Sequence, residues 1–166
     1  MQHLLRQFTK TMGHEVDLYR ALLAELVRER HALAASDLAG IQAVVATKKE
    51  LLDEIDGTEK KRLSLQRRLA AMLDCAVDEL SFGRLLDGVG GALKGQLQTI
   101  RCAIQEVVPR VRHLQQHNRL LVKHGLKLVS NSLDFFSRGP SACCVYRASG
   151  RLHYGTHGGR LLRNSI

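Results

Sequence analysis

The sequence has no tryptophan, only two prolines and few aromatic residues, which make up 4% of the chain. Because β-sheets are enriched in aromatic and β-branched side chains, this composition argues against a strand-rich fold. Long apolar runs are also missing, since no stretch approaches the roughly 18 apolar residues of a membrane-spanning helix. The first residues lack the apolar core and cleavage site of a signal peptide. We therefore expect a cytoplasmic protein with no membrane span.

Cysteine is scarce, and no two cysteines have the CxxC spacing of a zinc or redox site. His113 and His117 share a helix face, but one acidic residue nearby does not complete a metal site. No glycine-rich phosphate loop and no nucleophile motif is present. The sequence therefore predicts no enzyme, no metal site, no cofactor, and free thiols at its four cysteines: Cys75, Cys102, Cys143 and Cys144.

Acidic residues are almost absent from the second half of the chain. Residues 1–90 hold 13 Lys/Arg and 14 Asp/Glu, whereas residues 91–166 hold 12 Lys/Arg and only two acids. This asymmetry indicates an acidic partner, which could be a protein, a nucleic acid or an anionic lipid surface.

Leucine, alanine and other straight-chain residues dominate, and apolar positions recur every three or four residues over three long segments. The pattern predicts long helices from Gln2 to about Leu33, from Leu38 to about Leu73, and from about Leu93 to Phe136. A short helix is expected at Val77 to Leu86, and Ser36 or Asp37 is expected to cap the second long helix.

Two long helices joined by a tight turn must pack antiparallel to bury their apolar stripes. We therefore predict an all-α fold: an elongated antiparallel bundle of three long helices and a short one, spanning residues 1–136. Pro109 should kink the third long helix or break it in two. Residues 137–166 hold few large apolar side chains and are predicted to form a flexible basic tail with tyrosines and glycines.

Residues 114–136 carry apolar side chains on more than one face of the predicted third long helix. Such a helix is either buried on several sides or offers a second surface to a partner. Only two other long helices are available to bury these apolar side chains. We therefore interpret those that stay unburied as a binding surface for an amphipathic partner helix.

Several short motifs follow one another in the order found in a known family. They are a Lys-x-x-Leu step at Lys48–Leu51 or Lys49–Leu52, the run Asn118-Arg119-Leu120-Leu121-Val122, and Tyr154-Gly155-Thr156-His157-Gly158 with a looser copy at residues 146–150. In this the chain resembles FlgN-like flagellar export chaperones. It departs from them at Lys123-His124-Gly125, where members often carry a second Asn followed by Gly.

The resemblance implies a chaperone that binds the C-terminal helical segments of hook–filament junction (hook-associated) proteins. It would prevent their premature assembly and deliver them to the flagellar export gate or its ATPase complex. The client surface is then predicted at Leu121, Leu128, Val129, Leu133 and Phe136, with Arg119 and Lys123 pairing acidic client residues. Tyr146 and Tyr154 are the predicted contacts with the export gate.

Two other functions fit parts of the sequence. A nucleic-acid-binding protein would use the basic second half, although no nucleic-acid-binding motif is present and stacking aromatics are almost absent there. A coiled-coil scaffold would use the apolar stripes to self-associate.

Overall fold

The structure, a computed structural model, describes residues 1–80, 82–87, 90–137, 143–146 and 152–155. Its elements in chain order are α1 (Gln2–Ala35), α2 (Leu38–Met72), a 3₁₀ turn (Val77–Glu79), α3 (Phe82–Asp87), α4 (Gly91–Ser137), β1 (Cys143–Tyr146) and β2 (Leu152–Gly155). The chain divides into two compact units, Met1–Leu121 and Val122–Ile166. The predicted boundary between residues 136 and 137 stays a prediction.

A two-residue corner joins α1 to α2. Ser36 takes a left-handed conformation with φ of 54°, and its amide closes the last turn of α1. Asp37 then caps α2, where its Oδ1 accepts a hydrogen bond of 3.0 Å from the amide of Gly40. The cap satisfies an amide that would otherwise lack a partner in the first turn. Of the two predicted caps, Asp37 is therefore the one used.

The core of the first unit contains two apolar clusters, each built from α1, α2 and α4; Leu80, Leu85 and Leu86, from between α2 and α4, also belong to the first. The beginning of α1 packs with the end of α2 and the beginning of α4, and the middle of α1 packs further along α4. Hence α2 runs antiparallel to α1, and the first half of α4 runs parallel to it. This confirms the predicted helical bundle; the buried members include Leu5, Phe8, Leu69 and Leu97 in one cluster and Leu22, Leu26, Ile55, Val107 and Val111 in the other.

The region between α2 and α4 differs from its prediction. Instead of one helix from residue 77 to 86, the structure has the 3₁₀ turn and the separate short helix α3. Leu80 lies between them in a non-helical conformation, with φ of -76° and ψ of 72°, and its side chain is buried in the first cluster. Burial of this leucine has overridden local helical periodicity.

The third long helix is not divided at Pro109; of the two predicted outcomes, a kink or a break, the break does not occur and the kink stays a prediction. Helix α4 runs from Gly91 to Ser137 with Pro109 inside it. Val107 and Val111 on either side are buried in the core, which holds the helix in place across the missing hydrogen bond. Proline cannot donate a hydrogen bond to the carbonyl of Gln105, four residues earlier. Gln105 and Pro109 are both exposed, so water can bind that carbonyl instead.

Two short antiparallel strands lie in the segment predicted to be a tail. Cys143 pairs with Gly155, and Tyr146 pairs with Leu152. Neither segment alternates clearly between apolar and polar residues, so periodicity does not predict these strands. The predicted flexibility of residues 137–166 concerns positions that mostly lie outside the described ranges.

Two glutamates of α1, Glu15 and Glu25, are buried. Glu15 on α1 is 6% exposed, and the Nε of Arg62 lies 3.1 Å from its Oε2. That oxygen nevertheless accepts no hydrogen bond within the described structure. Burial raises the pKa of Glu15, which the charge of Arg62 only partly offsets and the nearby carboxylate of Glu59 reinforces.

This raised pKa predicts how stability depends on pH. Because folded Glu15 binds its proton more tightly than the unfolded residue does, the free energy of unfolding should fall as pH rises from about 4.5 through the raised pKa. Glu15→Gln removes this titration and should flatten that part of the curve, measured by urea unfolding at a series of pH values. Glu50→Gln, at an exposed position, should leave the slope unchanged. An unaltered slope in the Glu15 variant would contradict the assignment.

Candidate protein-binding surface

Helix α4 changes character near residue 118. Before that point its apolar line is buried in the bundle, as at Leu97, Val107 and Val111. From residue 119 to residue 137 every side chain is exposed. The exposed part is nonetheless rich in large apolar residues, so it is not an ordinary solvated helix.

The structure places all the predicted client-binding residues on this exposed part of α4. Their exposed fractions are 36% for Leu121, 68% for Leu128, 58% for Val129, 62% for Leu133 and 76% for Phe136. The predicted partners of acidic client residues, Arg119 and Lys123, are also exposed, and neither forms an ion pair with any residue that the structure describes. The structure thus brings the predicted set onto one helix.

Four further apolar residues belong to the same surface but were not among the predicted site residues. They are Leu120, Val122, Leu126 and Phe135, with exposed fractions from 41% to 78%. Phe135 packs edge-to-face on Phe136, with ring centres 5.8 Å apart. Their apolar character was visible in the sequence, but only the structure shows that they are exposed.

Helical spacing sorts these exposed apolar residues, all except Leu120, into two stripes. The inner stripe continues the line of buried Val111 and Asn118 along α4, and consists of Val122, Leu126, Val129, Leu133 and Phe136. The outer stripe has a spacing of seven residues and consists of Leu121, Leu128 and Phe135. Together the stripes cover about half the circumference of the helix.

Basic residues occupy the flank beside the inner stripe. Arg112, Arg119, Lys123 and Lys127 follow one another at spacings of seven, four and four, which places them on one side of α4. Asp134 is the single acidic residue between positions 107 and 166. An apolar stripe with a basic flank is complementary to an amphipathic helix that carries acidic residues beside its own apolar stripe.

A polar cluster ties α4 to the other long helices just before the apolar surface begins. Glu29 accepts hydrogen bonds from Lys48 Nζ at 2.8 and 2.9 Å, and from Asn118 Nδ2 at 2.9 Å. Asn118, which is 3% exposed, also donates to the carbonyl of Leu26 at 2.8 Å. Lys48 and Asn118 each open a motif on which the family resemblance rests, and the structure assigns both to helix packing.

The two tyrosines predicted to contact the export gate lie on the paired strands. Tyr146 ends β1 opposite Leu152, and Tyr154 in β2 is opposite Cys144. Their side chains and the glycines at positions 150 and 158 lie outside the described structure. Their role remains a prediction.

The comparison with protein families bears directly on this helical body and its exposed surface. The family described as FlgN protein matches residues 1–153, which include all four helices and β1. The chain belongs to the FlgN family. FlgN proteins are chaperones of flagellar type III export, so the family is not one of enzymes. Tyr146 lies within the matched residues, and Tyr154 lies one position beyond them.

No curated protein matches the chain, and no solved structure does. Across the described ranges, none of the FlgN-family chain's helices is long and apolar enough to cross a membrane. His113 and His117 belong to no cluster of three or more potential metal ligands within those ranges.

Proposed function

We propose that this FlgN-family chain is a cytoplasmic export chaperone that binds the C-terminal helical segments of hook-associated junction proteins. It keeps them unassembled and delivers them to the export gate or ATPase complex. One observation carries the proposal: nine large apolar side chains are exposed between residues 120 and 136 of a single helix. An exposed apolar surface of this kind marks a site of protein interaction.

The inner stripe has the chemistry of a helix-packing surface. It continues a line of residues that, earlier in α4, packs against α1 and α2. A client helix would lie against Val122, Val129 and Phe136 as those helices lie against Leu97 and Val111. Each apolar side chain that becomes fully buried contributes about 1.5–3 kcal/mol. Association and ordering oppose a large share of this, so a moderate, reversible affinity is expected.

The basic flank gives the client a direction and a charge preference. Arg119 and Lys123 are available for acidic client residues because no described residue neutralises them. Exposed ion pairs add little affinity but discriminate between partners. For contact with the export gate we favour Tyr146 over Tyr154, because Tyr146 lies within the family match.

The proposal is tested by calorimetric titration of the full chain with C-terminal peptides of the same organism's hook-associated proteins, at two salt concentrations. We expect saturable binding with a negative heat-capacity change that largely survives high salt, since apolar burial supplies most of the affinity. Binding that collapses as salt rises would favour a nucleic-acid-like electrostatic mode instead. Absence of binding at both concentrations would refute the client assignment.

A further inference from the structure

A second surface, within the first unit, lies in the groove between α1 and the first half of α4. Helix α3 does not cover it, because α3 borders α4 at Arg101 and Ile104, on another side of that helix. Two open cavities lie along the groove. One of about 620 Å³ lies near Arg6 and Lys10, and one of about 600 Å³ lies near Val27 and neighbouring residues of α4.

The groove has an apolar floor along its length. Leu93 and Ile100 form the floor of the first cavity, and Leu23 and Leu114 that of the second. All four are only partly buried by the core they adjoin. Between the cavities, α1 approaches α4 at Gly13, where an added Cβ would lie 3.9 Å from Ile100. From residue 6 to residue 27 of α1 the groove is about 32 Å long, the length of a helix of about 20 residues.

Charge is distributed unevenly along this groove. At the second cavity Arg20 pairs with Asp17 and Arg110 pairs with Glu106, so each cation has an acid beside it. At the first cavity the rim cations Arg6 and Lys10 form no ion pair within the described structure. Residues 1–14 and 91–105 contain no Asp or Glu at all. The first cavity therefore has an uncompensated positive charge.

We propose that this groove binds an amphipathic helical segment of another protein, with acidic side chains at the end that lies beside Arg6 and Lys10. Its apolar stripe would cover the floor of both cavities, and the bundle would gain a fourth long helix beside α1, α2 and α4. The site uses residues distinct from those of the proposed client surface and so goes beyond the proposed function.

Charge argues against the chain's own segments as occupants. Residues 138–166 contain five arginines and no acidic residue. The exposed part of α4, residues 119–137, contains three Lys/Arg and one Asp. Either segment, from the same or a second copy, would place positive charge beside Arg6 and Lys10, which is unfavourable.

The test uses two labelled synthetic peptides of about 20 residues, with one leucine stripe at helical spacing and flanks of either glutamate or lysine. All measurements use the full chain carrying Leu128→Glu and Leu133→Glu, so that the proposed client surface does not bind the peptides. Fluorescence anisotropy should show binding of the glutamate peptide and at least about 10-fold weaker binding of the lysine peptide. Arg6→Glu with Lys10→Glu should lower the affinity for the glutamate peptide at least about 10-fold. Ala24 is exposed and lines the second cavity. Ala24→Trp should therefore also lower the affinity for the glutamate peptide, because the larger side chain fills the groove.

The matched control is Arg67→Glu with Arg68→Glu, an equal charge change at exposed positions of α2. It should leave the affinity within about 2-fold, since neither residue lines either cavity and exposed charges that make no direct contact contribute little. Equal losses in both charge-reversal variants would overturn the proposal by showing non-specific attraction. The proposal would also be overturned if the glutamate peptide did not bind at all, or if it bound the Arg6/Lys10 variant or the Ala24 variant with unchanged affinity. Circular dichroism checks that each variant keeps its helical fold.

Discussion

Replacing Leu128 and Leu133 together with glutamate should weaken binding of the hook-associated C-terminal peptide by at least about 100-fold. Each leucine would lose about 1.5–3 kcal/mol of apolar burial in the complex, and each new carboxylate would have to be desolvated. The free chaperone should be unaffected, because the two side chains are 68% and 62% exposed. Its free energy of unfolding should change by less than about 0.5 kcal/mol. Calorimetry of the peptide titration measures the first effect and urea unfolding the second.

The control places the same two substitutions elsewhere on the molecule. Leu38 and Leu52 are exposed leucines of α2, at 67% and 48%, outside both stripes of α4. Leu38→Glu with Leu52→Glu should leave peptide affinity within about 2-fold, since the added charges lie outside the apolar contact. Equal weakening by both double variants would show that added negative charge, not loss of the apolar surface, is responsible. Unchanged affinity in the Leu128/Leu133 variant would refute the client surface.

The basic flank should contribute differently from the apolar stripes. If Arg119 and Lys123 pair with exposed acidic client residues, their loss should lower the association rate more than it raises the dissociation rate. The apolar residues act mainly after encounter, so their loss should appear in the dissociation rate. The two groups of residues therefore have separable roles within one surface.

Periodicity predicted the long helices well because their stripes are continuous and their ends carry local signals. The end of α1 and the start of α2 follow from Ser36 and Asp37, whose conformations are set by neighbouring residues. Of the kink or break predicted at Pro109, the break is absent, because burial of the neighbouring Val107 and Val111 offsets the one lost hydrogen bond. The short elements at 77–79 and 82–87 depend on where the core accepts Leu80 and Leu85, which periodicity cannot reveal.

The position of the candidate surface was predictable from the sequence, but not its full set of residues. An excess of apolar residues after position 114 is a property of the sequence, and it located the exposed half of α4. Because apolar residues occur on more than one face of this part of the helix, periodicity could not show which of them are exposed, so Leu120, Val122, Leu126 and Phe135 were missed. Glu29 was missed because it meets Asn118 across 89 positions of sequence, a distance over which no local pattern operates.

The polar cluster of Glu29, Lys48 and Asn118 leads to the second large expected effect. The side chains of Glu29 and Lys48 are 12% and 18% exposed, so their pairing is largely shielded from solvent. Glu29→Ala would leave the Lys48 ammonium and one amide hydrogen of Asn118 without their acceptor. Removing one partner of a buried ion pair is strongly destabilising, so the free energy of unfolding should fall by about 3 kcal/mol. Urea unfolding of the variant measures this loss.

Two further variants test whether the loss of stability in Glu29→Ala comes from leaving Lys48 and Asn118 without their hydrogen-bond acceptor. Glu106→Ala removes an ion pair with Arg110 whose side chains are 71% and 63% exposed, and should cost no more than about 0.5 kcal/mol. Adding Lys48→Met and Asn118→Leu to a Glu29→Leu variant replaces all three polar groups by apolar ones and should restore much of the stability. If that triple variant is no more stable than Glu29→Ala, the loss comes from packing and not from unpaired polar groups. If it recovers, the cluster's role is to fix where α4 meets α1 and α2, immediately before the apolar surface begins.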